Sequence, residues 1–226
     1  QEFQRLYPHE YYGPAFDWPP YRELREDQQT VDHIRYLYAS LVSFCDQQLG
    51  RVLDVFDEHD LWQDTLLLVN TDHGFLMGEH DWWAKVVTPF FQEVAHIPFW
   101  IHDPRAPEYA NSKSQALAQT IDLAPTILDY FDIATPQDMQ GQRLLDALRG
   151  DNDDGKAMRE ASLYGVMGGQ VNVTDGRYVY MRGSATDDNG PLFEYTLMPT
   201  HMRSRFAPAE LRDWQRSDGF AFTKDC

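Results

Sequence analysis

Hydrophobic residues recur at helical spacing between residues 32 and 56 and later form two short continuous runs. The helical stripe predicts one amphipathic helix of about 25 residues. Its members are Ile34, Leu37, Tyr38, Leu41, Cys45, Leu49, Val52, Leu53 and Phe56. The run Thr65–Asn70 is typical of a parallel strand buried on both faces, and Pro98–His102 predicts a second strand. Asp122–Phe131 predicts a helix, so strands and helices alternate as in an α/β fold.

The pattern changes after the acidic, glycine-bearing stretch Gly150–Gly155, which has no periodicity and predicts a boundary. Residues 1–150 are expected to belong to a mixed, mainly parallel sheet flanked by helices. Residues 151–226 are expected to form a small antiparallel β subdomain with a helix at the carboxyl end. Its predicted elements are a hairpin over 171–182 with Asp175-Gly176 at the turn, a strand at 192–195 and a helix over 208–214. Both turn residues of such a hairpin are expected to have positive φ.

Residues 1–30 hold several prolines among aromatic residues, which disfavours a regular helix. We expect this segment to be extended and to lie on another surface, because its aromatic side chains need apolar contacts. The prolines are Pro8, Pro14, Pro19 and Pro20.

Composition and charge exclude two classes of function. The chain has 226 residues, 19 Lys and Arg against 36 Asp and Glu, and a formal net charge of −17, so it is too acidic for an unassisted nucleic-acid binder. No run approaches the roughly 20 apolar residues of a membrane span. Its two cysteines, Cys45 and Cys226, form no disulfide framework or zinc-ligand pair, and Cys45 is interpreted as a core residue on the helix stripe.

Candidate chemistry lies between Thr71 and Lys85, where the strand at 65–70 ends. Ligands collect at the carboxyl ends of strands in open α/β sheets. Asp72 offers a hard carboxylate and His73 an imidazole, and Gly74 allows both to face one cation. Two ligands make only half of a divalent-metal site, so further ligands must come from elsewhere. Lys85 can act as a point cation against an oxyanion.

Each of these residues, taken alone, also has a purely structural interpretation. An Asp-His-Gly triple at a strand end is often a hydrogen-bonded turn. Lys85 alone is a solvated lysine, and His80 alone is a loop histidine bonded to a carbonyl. Trp82 and Trp83 are more often packing residues than a sugar platform. Only the whole string distinguishes these interpretations.

The whole string Thr71–Lys85 resembles the sulfatase signature Ser/Thr-Asp-His/Asn-Gly, Leu-Gly-Glu-His and Leu-Trp-x-Lys, within the alkaline-phosphatase-like superfamily. The resemblance covers about residues 1–150. Further matching stretches are Tyr38–Ser43 with Asp46, Leu49–Leu53, Ala95–Ile101, Asp122–Leu128 and Met139–Leu145. The chain departs from the family at His96, where Arg is common, and at Asp81-Trp82, where Gly-Leu is common.

By that resemblance Asp72 and His73 would be metal ligands, and Lys85 would bind the sulfate and assist catalysis, with His80 in a substrate-binding role. The metal would be divalent, with Ca²⁺ first and Mg²⁺, Mn²⁺ or Zn²⁺ as alternatives. The family's amino-terminal acidic metal pair and its Cys/Ser-x-Pro-x-Arg motif, whose Cys or Ser becomes formylglycine, match nothing in the 226 residues. The resemblance therefore implies the carboxyl-terminal half of a sulfatase, with the formylglycine expected in the missing half.

The implied activity of the full-length protein is metal-assisted hydrolysis of a sulfate ester on a sulfated small molecule or carbohydrate. This chain alone is expected to be inactive. Two alternatives remain: a phosphonate monoester or phosphodiester hydrolase of the same superfamily, and a catalytically inactive binding module. The expected partner is the missing amino-terminal half, and a homo-oligomer is an open alternative. No feature assigns a compartment.

Overall fold

The computed structural model divides the chain into two compact units, Gln1–Tyr164 with Asn172–Tyr180, and Gly165–Val171 with Met181–Cys226. The residues that the structure describes are 3–13, 22–85, 89–147, 158–166, 169–186, 193–196, 205, 207–209, 215–217 and 220–225. The boundary predicted at Gly150–Gly155 lies outside the described residues and stays a prediction. Cys226 and the region 14–21 also lie outside the described residues.

The predicted amphipathic helix is confirmed as helix α1, Gln28–Glu58, which is 31 residues long. It begins at Asp27, whose carboxylate accepts a hydrogen bond from the Thr30 backbone N–H at 2.9 Å. The two ends of its apolar stripe are buried, with Val31 and Phe56 3% and 8% exposed. Its middle is open, with Leu41 61% exposed, and Cys45 is exposed too, so its interpretation as a core residue is wrong.

Two predicted strands are confirmed as β1, Leu67–Asn70, and β4, Phe99–His102, but their arrangement differs from the expected parallel one. They pair antiparallel in a two-stranded sheet, with Leu67 opposite His102. A continuous apolar run indicates burial, but it does not specify the direction of the neighbouring strand. Neither face is fully buried by the described residues, since β1 is half-buried up to Val69 and Trp100 is 62% exposed.

The core of the first unit lies where α1 meets two short strands, β2, Leu76–Met77, and β3, Trp83–Ala84. β2 and β3 pair antiparallel. Val31 and Ile34 pack there with Trp83 and Ala84, and Leu24, Phe75 and Met77 border the cluster. The segment that carries the candidate chemistry is therefore anchored on α1.

The helix predicted over Asp122–Phe131 is confirmed as α3, Leu123–Tyr130, after a short α2, Gln92–Ala95. The start of α3 is fixed by the fully buried Asp122 carboxylate, which accepts backbone N–H bonds from Gln119 at 2.7 Å and Gln142 at 2.8 Å. Two nitrogens of Arg159 donate to the same carboxylate, each at 2.6 Å. One carboxylate thus joins segments that are distant in sequence.

The predicted hairpin over 171–182 is confirmed, but its turn differs from the expected one. Strands β5, Ser162–Gly165, β6, Val171–Thr174, and β7, Val179–Arg182, form a sheet in that order. Gly176 has a φ of 87°, whereas Asp175 is not among the positive-φ residues, so the expectation for both turn residues is wrong. The Asp175 carboxylate instead accepts from the backbone of Arg177 and Tyr178 at 2.9 and 2.7 Å, and this Asx turn supports a longer loop.

The second unit contains an antiparallel sheet of β8, Phe193–Thr196, β10, Phe220–Asp225, and β9, Gln215–Ser217, in that order. β8 confirms the strand predicted near 192–195. Most of the helix predicted over 208–214 lies outside the described residues. No helix in the described part of the chain has the length and apolar character needed to cross a membrane.

Candidate metal centre

Asp72 and His73 follow directly after β1, as the pattern of the chain predicted. β1 ends at Asn70, and both residues lie in the non-helical segment that leads to β2. The Asp72 side chain is 79% exposed and that of His73 is 30% exposed. Both side chains are therefore accessible, and they lie next to each other: Oδ2 of Asp72 is 3.1 Å from Nε2 of His73.

The hydrogen bonds of His73 assign its ring nitrogens. Nδ1 is 2.8 Å from the Gly74 carbonyl oxygen, which can only accept, so Nδ1 carries the hydrogen. Nε2 is in contact with the Lys85 ammonium, which can only donate, so Nε2 presents a lone pair. In this assignment His73 Nε2 and Asp72 Oδ2, which are 3.1 Å apart, both present lone pairs. Such a pair of atoms favours a cation between or beside them.

The Asp72 carboxylate is held in its ionised form by local hydrogen bonds. The backbone N–H of His73 donates to Oδ1 at 2.9 Å, and the Thr71 hydroxyl donates to the same oxygen at 3.2 Å. The His73 N–H lowers the pKa of Asp72 most, desolvation opposes it, and the neighbouring imidazole and the Thr71 hydroxyl add further lowering effects. An ionised carboxylate is the form that binds a divalent cation.

Lys85 returns to His73 because the segment before it is anchored in the core. The Trp83 indole is fully buried, and its Nε1–H donates to Glu26 at 2.7 Å. The backbone on both sides of Trp82 pairs with an upstream segment, through Leu24 N–H to the Asp81 carbonyl at 2.7 Å and Trp83 N–H to the Arg22 carbonyl at 2.9 Å. Thus part of the proline-rich segment 1–30 packs on another surface, as expected. The segment is not extended throughout, because Phe3–Leu6 forms a 3₁₀ helix and α1 begins at Gln28.

The turn between β2 and β3 has an unusual backbone. Gly78, His80 and Asp81 of the turn and Ala84 of β3 all have positive φ, which is uncommon for the three that carry a Cβ atom. Arg35 of α1 supports this turn by donating from Nε to the Met77 carbonyl at 2.9 Å and by pairing with Glu79 at 3.3 Å. The Glu79 carboxylate also accepts from the Met77 backbone N–H. These contacts hold the turn in a conformation that the sequence alone does not favour.

His80 lies on this turn and contacts α2 rather than the cluster of Asp72, His73 and Lys85. Its Nε2 is 3.1 Å from both carboxylate oxygens of Glu93, and its ring stacks on Phe91 at 3.9 Å. Among the described residues, no hydrogen bond joins His80 to the other three. The structure therefore brings three of the four predicted site residues into contact and places His80 in a separate pair.

Sequence reasoning missed several residues that position the site. They are Arg35, Glu79, Glu26, Phe91 and Glu93. Their partners are 11 to 57 residues away in sequence or are set by the positive-φ turn, so no local spacing indicates them. The sequence offered a signal only at Glu93, a charged residue that comes shortly after Phe90-Phe91 and before the strand predicted at 98–102.

Asp72 and His73 fit a divalent cation but do not complete a site. An exposed carboxylate and an imidazole whose Nδ1–H donates to a backbone carbonyl are the donor types and the supporting bond seen for metal-binding histidines. Within the described ranges, no group of three or more His, Cys, Asp or Glu residues is arranged to hold a metal ion. Asp72 and His73 therefore form a half-site.

Comparison with known proteins gives one matching family model, described as Sulfatase, over residues 6–133. A curated N-acetylglucosamine-6-O-sulfatase of Bacteroides thetaiotaomicron is 31% identical over 127 residues, which cover 56% of this chain and 22% of that protein. A multifunctional alkaline phosphatase superfamily protein of Trinickia caryophylli is 32% identical over 119 residues, 53% of this chain and 23% of that protein. The chain thus spans less than a quarter of the length of these relatives.

Among solved structures, the phosphonate monoester hydrolase of Agrobacterium radiobacter is similar, with a TM-score of 0.60 and 24% identity over 69% of this chain and 34% of that chain. At this identity the likeness concerns the fold, which is the alkaline-phosphatase-like α/β fold.

Proposed function

This chain belongs to the sulfatase family, and we propose that it is part of a sulfuric ester hydrolase that cleaves a sulfate ester by metal-assisted hydrolysis. The observation that carries the proposal is the contact of Asp72, His73 and Lys85 at the end of β1. A carboxylate, an imidazole lone pair and an ammonium meet there on an accessible surface. This combination suits a metal cation beside an anionic ester.

In this proposal Asp72 and His73 supply two ligands of a divalent metal. The hydrogen bond from His73 Nδ1 to the Gly74 carbonyl orients the ring so that Nε2 is the ligand atom. We propose Ca²⁺ as the ion, with Mg²⁺, Mn²⁺ and Zn²⁺ as alternatives, because the carboxylate is a hard oxygen ligand that suits Ca²⁺. When bound, the metal supplies Lewis-acid polarisation of the ester.

Lys85 is the proposed catalytic cation. Its ammonium lies against His73 and is placed by the buried Trp83 two residues earlier. A point charge there can contact an oxygen of the sulfate ester and stabilise the negative charge that develops on the departing oxygen. His80 is proposed to contact the substrate from the neighbouring turn.

The remaining ligands and the formylglycine nucleophile are proposed to lie outside this chain, in the amino-terminal half of the same protein. Two observations support this. The matched segments cover only 22% and 23% of the two curated relatives. The middle of the α1 stripe is open, with Leu41 and Val42 61% and 51% exposed, and Trp100 on β4 is 62% exposed. We propose that strands of the other half cover these apolar side chains and complete a mixed, mainly parallel sheet.

The proposed substrate is a sulfated small molecule or carbohydrate. The curated relative that is 31% identical is named for a sulfatase acting on N-acetylglucosamine, and a structural neighbour with a TM-score of 0.61 was solved with D-glucosamine-2-N,6-O-disulfate. These names describe those proteins. The clustering of Lys85 with the metal half-site is compatible with any anionic ester of this kind.

A phosphonate monoester or phosphodiester hydrolase is the second candidate. The phosphonate monoester hydrolase fold is similar to this chain to nearly the same degree as the sulfatase fold, with TM-scores of 0.60 and 0.61. A carboxylate, an imidazole and an ammonium would serve a phosphorus ester by the same physical chemistry. A catalytically inactive binding module is the remaining alternative, and it predicts no turnover on either substrate class.

The test uses the longer protein that contains this chain, its Asp72→Ala variant and a panel of sulfate, phosphonate and phosphate esters. We expect turnover of a sulfate ester, together with one divalent ion per protein, and we expect Asp72→Ala to lose both. Turnover of phosphonate esters alone would replace the proposal with the second candidate. The absence of turnover with bound metal would favour the inactive module, and rapid turnover by residues 1–226 alone would contradict the proposed position of the nucleophile.

A further inference from the structure

His80 and Glu93 form a side-chain pair beside the metal half-site. The Nε2 atom of His80 is 3.1 Å from both Oε1 and Oε2 of Glu93. The imidazole also stacks on Phe91 with the ring planes 15° apart. Glu93 therefore fixes the direction in which Nε2 points, and Phe91 fixes the plane of the His80 ring.

The backbone of His80 is held in a conformation that its side chain does not favour. Its φ and ψ are 56° and 21°, in the left-handed region, and Asp81 follows with a φ of 64°. Such a conformation is unfavourable for a residue other than glycine. It persists only when surrounding contacts hold it, and such residues cluster at functional sites. The backbone of this turn thus fixes where the His80 side chain lies, as expected for a residue with a functional role.

The segment that holds His80 also contacts the metal-ligand loop. The Gly74 backbone N–H donates to the Val94 carbonyl at 2.8 Å. A Cβ atom on Gly74 would lie 1.7 Å from the Glu93 carbonyl oxygen, so the two backbones are in close contact. Glu93 therefore touches the residue after His73 through its backbone and His80 through its side chain.

The chemistry of the pair determines which nitrogen of His80 can meet a ligand. A carboxylate can only accept, so Nε2 of His80 carries the hydrogen that it shares with Glu93. Nδ1 is the remaining ring nitrogen, and it has no hydrogen-bond partner among the described residues. The His80 side chain is 42% exposed, so Nδ1 can meet a molecule in solution.

We propose that Glu93 is a positioning residue that fixes the His80 ring so that Nδ1 contacts a polar group of the substrate next to the metal half-site. The inference rests on the proposed function, because it assigns a role within that site. Glu93 does not touch the substrate itself. Its contribution is to remove the rotational freedom of His80 before binding, which strengthens binding without changing the chemical step.

The first test examines residues 1–226 and needs no activity. Nuclear Overhauser contacts between the His80 and Phe91 rings are expected in the unmodified chain and in Glu93→Gln, because the amide oxygen of Gln still accepts from Nε2. They are expected to weaken strongly in Glu93→Ala. The control is Glu108→Ala, which replaces an exposed glutamate of the 3₁₀ turn Pro107–Tyr109. Unchanged ring contacts in Glu93→Ala would overturn the proposal whatever the activity of the longer protein.

The second test measures steady-state kinetics of the longer protein on the ester that it turns over. Glu93→Ala and His80→Ala are each expected to raise KM about tenfold with little change in kcat, the size of one lost hydrogen bond. The double variant should be no worse than His80→Ala, because Glu93 acts only through His80. Glu93→Gln should restore KM to within about threefold. Additive losses, or a fall in kcat with KM unchanged, would overturn the positioning role.

Discussion

A Cβ atom added to Gly74 would lie 1.7 Å from the backbone carbonyl oxygen of Glu93, so the two backbones are in direct contact. The contact joins the loop after β1 to α2 without any intervening side chain, and the Gly74 N–H to Val94 carbonyl bond at 2.8 Å strengthens it. The position of Asp72 and His73 therefore depends on a glycine rather than on a side-chain contact.

Gly74→Ala is expected to destabilise the first unit by about 1–3 kcal/mol, because a backbone atom rather than a flexible side chain must move. The measurement is urea unfolding of the chain. Gly50→Ala is the matched control, since Gly50 lies in α1 with nothing within 4 Å of the added Cβ. It should stabilise by about 0.5–1 kcal/mol, because alanine favours a helix interior. A neutral Gly74→Ala change would show that the two backbones are not in close contact.

Lys85→Ala in the longer protein is expected to lower kcat by about 10²–10³ with a smaller effect on KM, the usual consequence of losing one preorganised electrostatic contact. Metal content should not fall, because the ammonium is not a ligand and contacts the same His73 lone pair that would bind the ion. Steady-state kinetics and metal analysis on one preparation make the measurement. Unaltered turnover would reduce Lys85 to a solvated lysine.

Trp83→Phe is expected to cost about 2–4 kcal/mol in the free energy of unfolding. The change leaves a small cavity in a fully buried site and removes the 2.7 Å bond to Glu26. Trp100→Phe is the control, because Trp100 is 62% exposed and should change stability by less than about 0.5 kcal/mol. Similar losses for the two tryptophans in chemical denaturation would argue that the Lys85 segment is not anchored by burial.

Asp122→Asn is expected to destabilise by about 3–5 kcal/mol, since it breaks a pair in which the Asp122 side chain is fully buried and that of Arg159 is 10% exposed. Asp146→Asn breaks an exposed pair with Arg143 and should change stability by no more than about 1 kcal/mol. Thermal unfolding of both variants at one pH compares them. Equal effects would show that Asp122 does not join the segments around α3.

Asp103 should contribute a pH-dependent part of the stability. Burial raises the pKa of its carboxyl, but hydrogen bonds from Arg105 outweigh this, so the pKa lies below its usual value. A lowered pKa in the folded state gives stability that is present above the unfolded pKa of about 3.9 and is lost as the pH falls through the folded value.

Asp103→Asn is therefore expected to lower the free energy of unfolding by about 1–2 kcal/mol at pH 7 and to flatten its decline as the pH falls below the unfolded pKa of about 3.9. Urea unfolding at a series of pH values measures this. Asp46→Asn, at an exposed position of α1, should leave the pH profile unchanged. An identical decline in the Asp103→Asn variant would contradict the sign of the pKa shift.

The sequence by itself determined the family and several elements, but not β2, β3 and α2, which are too short to show a periodic pattern. The apolar stripe of α1, the runs of β1 and β4 and the pattern of the hairpin are local properties, because periodicity depends only on which side of an element each residue occupies. The string from Thr71 to Lys85 was sufficient to identify the sulfatase resemblance, and the family model matches residues 6–133. The position of Asp72 and His73 after β1 could also be predicted, since a strand that ends in a glycine-bearing polar turn is visible in the sequence.

Only the tertiary structure decided which groups meet. The antiparallel pairing of β1 with β4 and the open middle of α1 depend on what packs against each element, which periodicity does not encode. The contacts of Lys85 with His73, of Glu26 with Trp83 and of Glu93 with His80 span 12, 57 and 13 residues. They form because a buried indole and a turn with positive φ direct the chain back on itself. Side-chain neighbours at such separations are set by packing of the whole unit, and no local spacing contains them.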